Sequence, residues 1–435
     1  MYVTNRGGLL DVAEPFRSMR RDALDMLEAA LDSVDPQRAT GEALSLSNGV
    51  LTAGDVTVDL SSVEHIYVVG FGKASVGMAR AVERRLPVDD GLVIATEAAD
   101  LDSITVRQGD HPLPSERNVD ATGELLDIVD RAGETDLVVV LVSGGGSALL
   151  CRPAVSLEAM RDTTRELMHA GCTIQELNTV RKHLSMVKGG RLAARCPARI
   201  LSLVISDVIG DPLEFIASGP TAPDPSSYAD ARDVLEKYGL RRDGEVMRRI
   251  ERGCTGELEE TPDRLDNVDH VIVASNEQAC RHACTKAQKM GYHADVASTR
   301  LSGEARQAGR DVARYARMLP RDHAAVIFGG ETTVTVTGDG SGGRNQEFML
   351  GALQEIEGKH MVVLSCGTDG VDGCSPAAGA IADGTSLRRA RQRGLDPAAA
   401  LRDNDSYTFF KALGDAIVTG PTGTNVMDIQ IVVKG

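Results

Sequence analysis

Six apolar residues, Leu137-Val-Val-Val-Leu-Val142, run without a polar break into Ser143-Gly-Gly-Gly-Ser147 and then into Ala148-Leu-Leu150. A strand with no in/out alternation is buried on both faces, as strands are inside a parallel sheet covered by helices. Parallel strands need crossovers, so the chain must alternate strand and helix. The loop residues Ser143, Gly144, Gly145, Gly146 and Ser147 can bring bare backbone N–H groups against an anion where a helix starts. One such loop serves equally well as a tight turn, so the argument rests on how many similar loops the chain carries.

There are three more. His65-Ile-Tyr-Val-Val-Gly70 leads through Phe71, Gly72, Lys73 and Ala74 to a helix-like stretch. Ala324-Ala-Val-Ile-Phe-Gly-Gly330 is followed by Glu331–Thr337, whose alternation predicts an exposed edge strand. A flexible-looking Gly338-Asp-Gly-Ser-Gly-Gly343 then opens a helix at Arg344-Asn345-Gln346-Glu347. Met361-Val-Val-Leu-Ser365 ends in Cys366-Gly-Thr-Asp369-Gly-Val-Asp372-Gly373. In open α/β sheets ligands sit at such strand ends.

The loop at Lys73 is not a P-loop, because Tyr67 and Ala74 stand where glycine and Ser or Thr are required. It is also an incomplete dinucleotide fingerprint, with Ser75 in place of the third glycine. What remains is a cation at a helix start, which the helix dipole disfavours unless an anion shares the site. Arg344 repeats that arrangement. His111, between Gly109 and the prolines at 112 and 114, is a substrate contact or a turn residue, with the turn favoured.

The 435 residues carry 47 Lys and Arg against 63 Asp and Glu, a net charge of −16. With no tryptophan and 3% aromatic residues, the chain is a poor candidate for binding nucleic acid. No apolar run approaches the ~18 residues that a membrane helix needs, and no signal-peptide pattern is present. Eight scattered cysteines fit reduced thiols, and the expectation is a cytoplasmic protein without nucleic-acid or membrane partners. The oligomeric state stays open, a homodimer included.

Against an acidic background, clustered cations are informative. The segment from Ser156 to Ala194 reads as helical, and Asn178, Arg181, Lys182, Ser185 and Lys188 recur at spacings of three or four, on one predicted face. Acidic residues stand near strand ends at Asp207, Glu331 and Asp369. Asp207 suits a role in holding Mg²⁺ or accepting a hydroxyl proton. An amphipathic helix is predicted over 15–31, and Glu251–Val268 reads as a domain connector, with a second strand–helix series starting at His270. Phosphate-binding loops, placed cations and carboxylates for a divalent metal are the parts of phosphoryl transfer. The residues therefore predict a Mg-dependent, nucleotide-using enzyme, with its site between two α/β domains.

Taken together, nine stretches make the chain resemble the glycerate 2-kinases of the MOFRL family. They are Val-Gly-Phe-Gly-Lys-Ala, Ser-Gly-Gly-Gly-Ser-Ala-Leu, Leu-Asn-Thr-Val-Arg-Lys-His-Leu-Ser, Lys-Gly-Gly-Arg-Leu, Ser-Asp-Val-Ile-Gly-Asp, Ala-Ser-Gly-Pro-Thr, Gly-Gly-Arg-Asn-Gln-Glu, Gly-Thr-Asp-Gly-Val-Asp-Gly and Gly-Pro-Thr-Gly-Thr-Asn, in one order from residue 69 to 425. Cys374-Ser375-Pro376 departs from the Pro-Thr-Asp associated with that loop. The resemblance implies ATP and Mg²⁺ as cofactors and D-glycerate as substrate, phosphorylated at the 2-hydroxyl to 2-phosphoglycerate. It implies an N-terminal Rossmann-like domain, set at residues 1–255, and a C-terminal mixed-sheet α/β domain at 256–435, whose last strand is free to pack back on the first domain, with the site in the cleft. Carried onto matching positions, Lys73, Arg344 and Asp207 are the catalytic candidates. One of Lys73 and Arg344 would take the glycerate carboxylate and the other the transferring phosphate. Gly72, Ser143–Ser147, Asn178, Arg181, Lys182, Lys188, Asn345 and Asp369 are binding candidates, and Asp207 and Glu331 metal candidates. The rival enzyme is an NAD(P)-dependent hydroxypyruvate reductase, against which the incomplete fingerprint speaks.

Overall fold

The structure is a computed structural model that describes residues 1–240 and 244–435. The chain forms two compact units, one of residues 36–273 and one of residues 1–35 with 274–435. Each is built on a six-stranded sheet.

In the 36–273 unit the strands lie in the order 104–108, 90–95, 66–71, 137–142, 199–205, 268–274. The neighbours from 104–108 to 199–205 run parallel. Leu137–Val142 is central and every one of its residues is buried, as its unbroken apolar run requires. The helices Ser75–Glu83 and Glu116–Arg131 follow strands of this sheet, and Val69, Leu125, Val129 and Val140 share one core with the Gly-loop residues Leu149 and Leu150. A small antiparallel sheet over residues 44–59 completes the unit.

The stretch 156–194 is not one helical face. It breaks into Leu157–His169, Ile174–His183 and Arg191–Arg195. Thr173 and Glu176 form a capping box that starts the second helix, and Gly189 and Gly190 take positive φ values of 56° and 76° ahead of the third. Ser185 and Lys188 thus lie beyond a helix end.

In the other unit the order is 293–301, 324–330, 428–434, 361–367, 379–383, 416–417. This sheet is mixed: 293–301 pairs parallel with 324–330, and the remaining pairs are antiparallel. The C-terminal strand Asp428–Lys434 does not pack back on the first domain. It lies between 324–330 and 361–367, at the centre of the second sheet. Its run Ile-Gln-Ile-Val-Val is buried throughout, which only a central position allows.

Further expectations change. The units part at 35/36 and 273/274 rather than at 255/256. Val268–Ala274 does not open the second series but edges the first sheet, where Ile200 N–H donates to Asn267 O at 2.7 Å. The amphipathic helix Phe16–Ser33 buries Leu24, Leu27 and Leu31 in the C-terminal unit, against the helix Asn276–Lys289 and the strands 361–367 and 428–434. Residues 331–337 form no sheet strand; Thr333 makes a single bridge with Glu304. The glycine loop 338–343 is stitched down rather than loose. Gly340 N–H donates to Asp403 O at 2.8 Å, Gly338 N–H to Asn404 Oδ1 at 3.0 Å, and Ser341 O accepts from Tyr407 N–H at 2.8 Å. Among the described residues, no helix is long and apolar enough to cross a membrane.

Candidate active site

In the 36–273 unit the sheet brings three strand ends together: 66–71, 137–142 and 199–205. Their loops interlock. Lys73 N–H donates to Gly144 O at 2.9 Å, and Ala74 N–H donates to Ser143 Oγ at 3.1 Å. A Cβ on Gly72 would fall 2.1 Å from Ser143 Oγ, so only glycine allows this approach, and its φ of 124° demands glycine as well. A Cβ on Gly144 would lie 2.5 Å from Asp207 Oδ2, and one on Gly145 would lie 3.2 Å from both the His111 ring and Lys73 Cγ. Lys73, Asp207, His111 and the Gly144–Gly145 backbone therefore form one locus. Gly146 packs against Phe71 and Ala217 instead, where a Cβ would sit 2.7 Å from the Ala217 methyl.

The electrostatics of this locus favour an anion. Burial pushes the Asp207 carboxyl up, against a weaker opposing pull from the Lys73 charge. Burial and Lys73 together push the His111 imidazole down, towards its neutral form. Among the described residues, Lys73 makes no ion pair, and the Gly144 and Gly145 N–H groups meet no protein acceptor.

Behind the loop, Lys188 is buried and donates to Ser147 O at 2.8 Å and Leu150 O at 2.9 Å. Burial pushes its ammonium down to about 7. Ser147 Oγ and Ser218 Oγ are 2.8 Å apart, and Ser218 donates to Asn178 Oδ1 at 3.0 Å. Lys182 is drawn into a buried pair with Asp224 at 3.1 Å. Arg181 has neither a carboxylate nor a hydrogen-bond partner among the described residues, and burial lowers its pKa from the ordinary value.

The second locus lies in the C-terminal unit, at the start of the helix Arg344–Ile356. Asp372 accepts from the Asn345 and Gln346 N–H groups, each at 2.9 Å, and so caps that helix. Arg344 holds Asp428 with two hydrogen bonds of 2.6 and 2.9 Å and Glu331 at 2.9 Å. Burial opposes its charge, but Asp428 raises the guanidinium above its ordinary value. Asn345 donates to Asp428 Oδ1 at 2.9 Å and accepts from Ser365 Oγ at 2.6 Å. Asp369 Oδ1 accepts from Val371 N–H at 3.1 Å, closing its own turn. Among the described residues, no group of three His, Cys, Asp or Glu side chains is arranged to hold a metal ion.

Two family models match, a domain of unknown function (DUF4147) over residues 22–251 and the MOFRL family over 324–428. The chain is 39% identical to a glycerate 2-kinase of Pyrococcus horikoshii over 430 residues, covering 95% of this chain and 97% of that one. It is 40% identical to a D-glycerate 2-kinase of Thermotoga maritima over 429 residues, covering 95% and 98%. The chain belongs to the MOFRL family of glycerate kinases. The fold agrees: a crystal structure of a glycerate kinase from Thermotoga maritima superposes with a TM-score of 0.87 at 39% identity, covering 96% of this chain and 100% of that chain.

In this glycerate kinase family member the candidate residues separate by environment. Lys73, Asp207, Gly144, Gly145 and Arg181 keep groups that no protein partner claims among the described residues. Ser143, Ser147, Lys182, Lys188 and Asn345 are engaged with protein groups, and Arg344 and Glu331 face each other. His111 was legible as a turn residue or a substrate contact, but nothing local announces that its ring meets a loop 34 positions later. Ser218 stood only within the Ala-Ser-Gly-Pro-Thr match, and Asp224 carried no signal, because its partner Lys182 lies 42 positions away.

The Asp372 cap gives a pH prediction. Burial pushes its carboxyl up to about 6, against about 3.9 in an unfolded chain. Between those values the folded state binds the proton more tightly. Its contribution to stability is therefore complete below about pH 4 and is lost as pH rises through about 6. Asp372→Asn has no such titration. The stability difference between wild type and variant, measured by denaturant titration from pH 4 to 7, should move in the variant's favour by up to roughly 3 kcal/mol. A difference that does not change with pH would count against a buried, titrating Asp372.

Proposed function

We propose that this chain catalyses ATP-dependent phosphorylation of D-glycerate at its 2-hydroxyl, giving 2-phosphoglycerate. The observation that carries the reading is the locus of Lys73, Asp207 and the Gly144 and Gly145 N–H groups: a cation and two donors without a partner among the described residues, around a single half-buried carboxylate. Relatives named glycerate 2-kinase and D-glycerate 2-kinase support the substrate and the position phosphorylated.

In this reading Lys73 and the two N–H groups bind anionic oxygen, of the transferring phosphoryl group or of the glycerate carboxylate. Asp207, with its carboxyl raised by burial, accepts the 2-hydroxyl proton as that oxygen bonds to the γ-phosphorus and the bond to the β-phosphate oxygen breaks. Arg181 adds a second cation without a carboxylate partner among the described residues of the same unit. Lys188 anchors the carbonyls of Ser147 and Leu150 and so fixes the glycine loop. Mg²⁺ accompanying the nucleotide would neutralise phosphate charge. Mg²⁺ is commonly bound through one or two carboxylates together with substrate phosphates, and Asp207 would hold it as the alternative to its role as proton acceptor. Glu331 fits that role less well, because Arg344 already engages it.

A reductase fits this unit poorly. A dinucleotide pyrophosphate needs free N–H groups in the first strand–helix turn. Here Gly72 N–H donates to Ile94 O, Lys73 N–H to Gly144 O, Ala74 N–H to Ser143 Oγ and Ser75 N–H to Gly72 O. The test is purified protein with ATP, Mg²⁺ and D-glycerate, the product being identified by NMR. 2-Phosphoglycerate is expected. Formation of 3-phosphoglycerate alone would remove the regiochemical claim, and NADH oxidation with hydroxypyruvate without ATP use would replace the kinase by the reductase.

A further inference from the structure

Away from both loci, one recess of the C-terminal unit collects positive charge. Its volume is about 670 Å³, and Phe16, Glu357, Lys359, His360, Arg388 and Arg391 are in its lining. The backbone holds it in shape. The helix Arg344–Ile356 ends here, Gly358 N–H donates to Gly384 O at 2.8 Å, and Gly384 N–H donates to Met361 O at 3.2 Å. A Cβ on Gly384 would fall 2.0 Å from Lys359 O, so only glycine lets these two segments close on each other. That contact sets Lys359 on the same recess as the helix Ser386–Gln392, which carries Arg388 and Arg391.

The carboxylates of the lining are already engaged. Glu357 pairs with Arg391. Glu14 accepts from Ser18 Oγ at 2.8 Å, and that bond, with the charges of Arg17 and Arg21, holds its carboxyl below the usual range. The exposed side chains of Lys359 and Arg388 have neither a carboxylate nor a hydrogen-bond partner among the described residues. Two unpartnered cations on one cavity wall, in a chain of net charge −16, make a local positive field that attracts an anion. The Phe16 ring stands edge-on to His360, with centroids 5.8 Å apart, and supplies an apolar wall.

This combination selects a phosphomonoester. A guanidinium takes phosphate oxygens as a planar fork and an ammonium adds a point charge, so Arg388 and Lys359 together match a dianion. The recess has the volume of a pocket for a whole small molecule, which leaves room for a carbon part against Phe16. It lies at the far end of the helix that starts at Arg344, about 20 Å along its axis. We propose that this recess is a binding site for a phosphomonoester, with the phosphate on Lys359 and Arg388 and the carbon part against Phe16, using none of the residues of the two loci. It does not depend on which reaction the chain catalyses.

The probe is phenyl phosphate, followed by titration calorimetry on wild type, Lys73→Met, Lys359→Glu and Arg388→Glu. Binding should survive Lys73→Met and weaken by about tenfold or more in each charge reversal. Both reversals are at exposed positions and keep the fold, with circular dichroism as the control. Unchanged binding in either reversal overturns the proposal, and so does loss of binding in Lys73→Met, which would assign the ester to the glycine loop. Inorganic phosphate, lacking the carbon part, should bind about tenfold more weakly; equal affinity overturns the ester. In Arg388→Glu without added ester, KM for ATP and for glycerate should stay within about twofold of wild type. A larger rise in either would make the recess part of the reacting site and overturn its independence.

Discussion

Lys73→Met is expected to cut kcat/KM for glycerate by about 10²-fold or more while leaving the fold intact. The side chain is exposed, makes no ion pair among the described residues, and stands over the Gly144–Gly145 backbone beside Asp207. Removing it therefore breaks no structural pair. It does remove a cation from a locus that must hold anionic groups in a protein of net charge −16. A charged group that meets a largely desolvated anion in the transition state typically contributes a few kcal/mol, hence the factor expected. Loss in kcat with little change in KM would place the contact on the transferring phosphoryl group. A rise in KM for glycerate with kcat kept would place it on the substrate carboxylate. Steady-state kinetics with circular dichroism as the folding control make the measurement. A change of less than about twofold, the size of ordinary surface effects, would remove Lys73 from the site.

Arg20→Met is expected to destabilise the C-terminal unit by about 3 to 5 kcal/mol, lowering its melting temperature on the order of 10 °C. Arg20 is fully buried. Its Nε donates to Asp383 Oδ2 at 2.7 Å, and its Nη1 donates to Asp415 Oδ1 at 2.8 Å and to Leu9 O at 3.0 Å. Deleting the guanidinium strands two carboxylates away from water, which costs more than the pair itself was worth. Arg389, 2.6 Å from Asp415, remains to compensate part of the charge, so the lower end of the range is favoured. Calorimetry on wild type and variant tests this. A loss below about 1 kcal/mol, typical of a solvated surface pair, would show that the helix Phe16–Ser33 is not fastened through this residue.

The two experiments probe different layers of the same chain, and they differ in how far local sequence announces them. Lys73 stands in a short strand–glycine–helix pattern, and the mismatch between a cation and a helix start is visible without any partner. Arg20 occupies one of many charged positions on an amphipathic helix, and nothing nearby distinguishes it from Arg17 or Arg21. Its carboxylates lie 363 and 395 positions away. The same holds at the second locus. Arg344 repeats the local pattern of Lys73, yet Asp428, 84 positions on, satisfies its charge. Two sites that look alike in sequence thus differ in what they leave free for a ligand.

The α/β class, the strands at 66–71, 137–142, 324–330 and 361–367, and the glycine loops that come after them were legible from the sequence. The physical reason is local: an unbroken apolar run can be satisfied only by burial on both faces, and a glycine at a strand end frees the backbone for a turn whatever the rest of the chain does. Tertiary structure alone decided that Val268–Ala274 edges the first sheet, that Asp428–Lys434 enters the middle of the second, and that the first 35 residues belong with the C-terminal unit. It also decided that residues 331–337 stay out of the sheet, that Lys182 and Arg344 are paired, and that among the described residues Arg181 and Lys73 have no carboxylate partner. Strand neighbours and charge partners are chosen by energies summed over contacts distant in sequence. A hydrogen-bonding edge or an ionised side chain carries no local mark of which remote group will satisfy it.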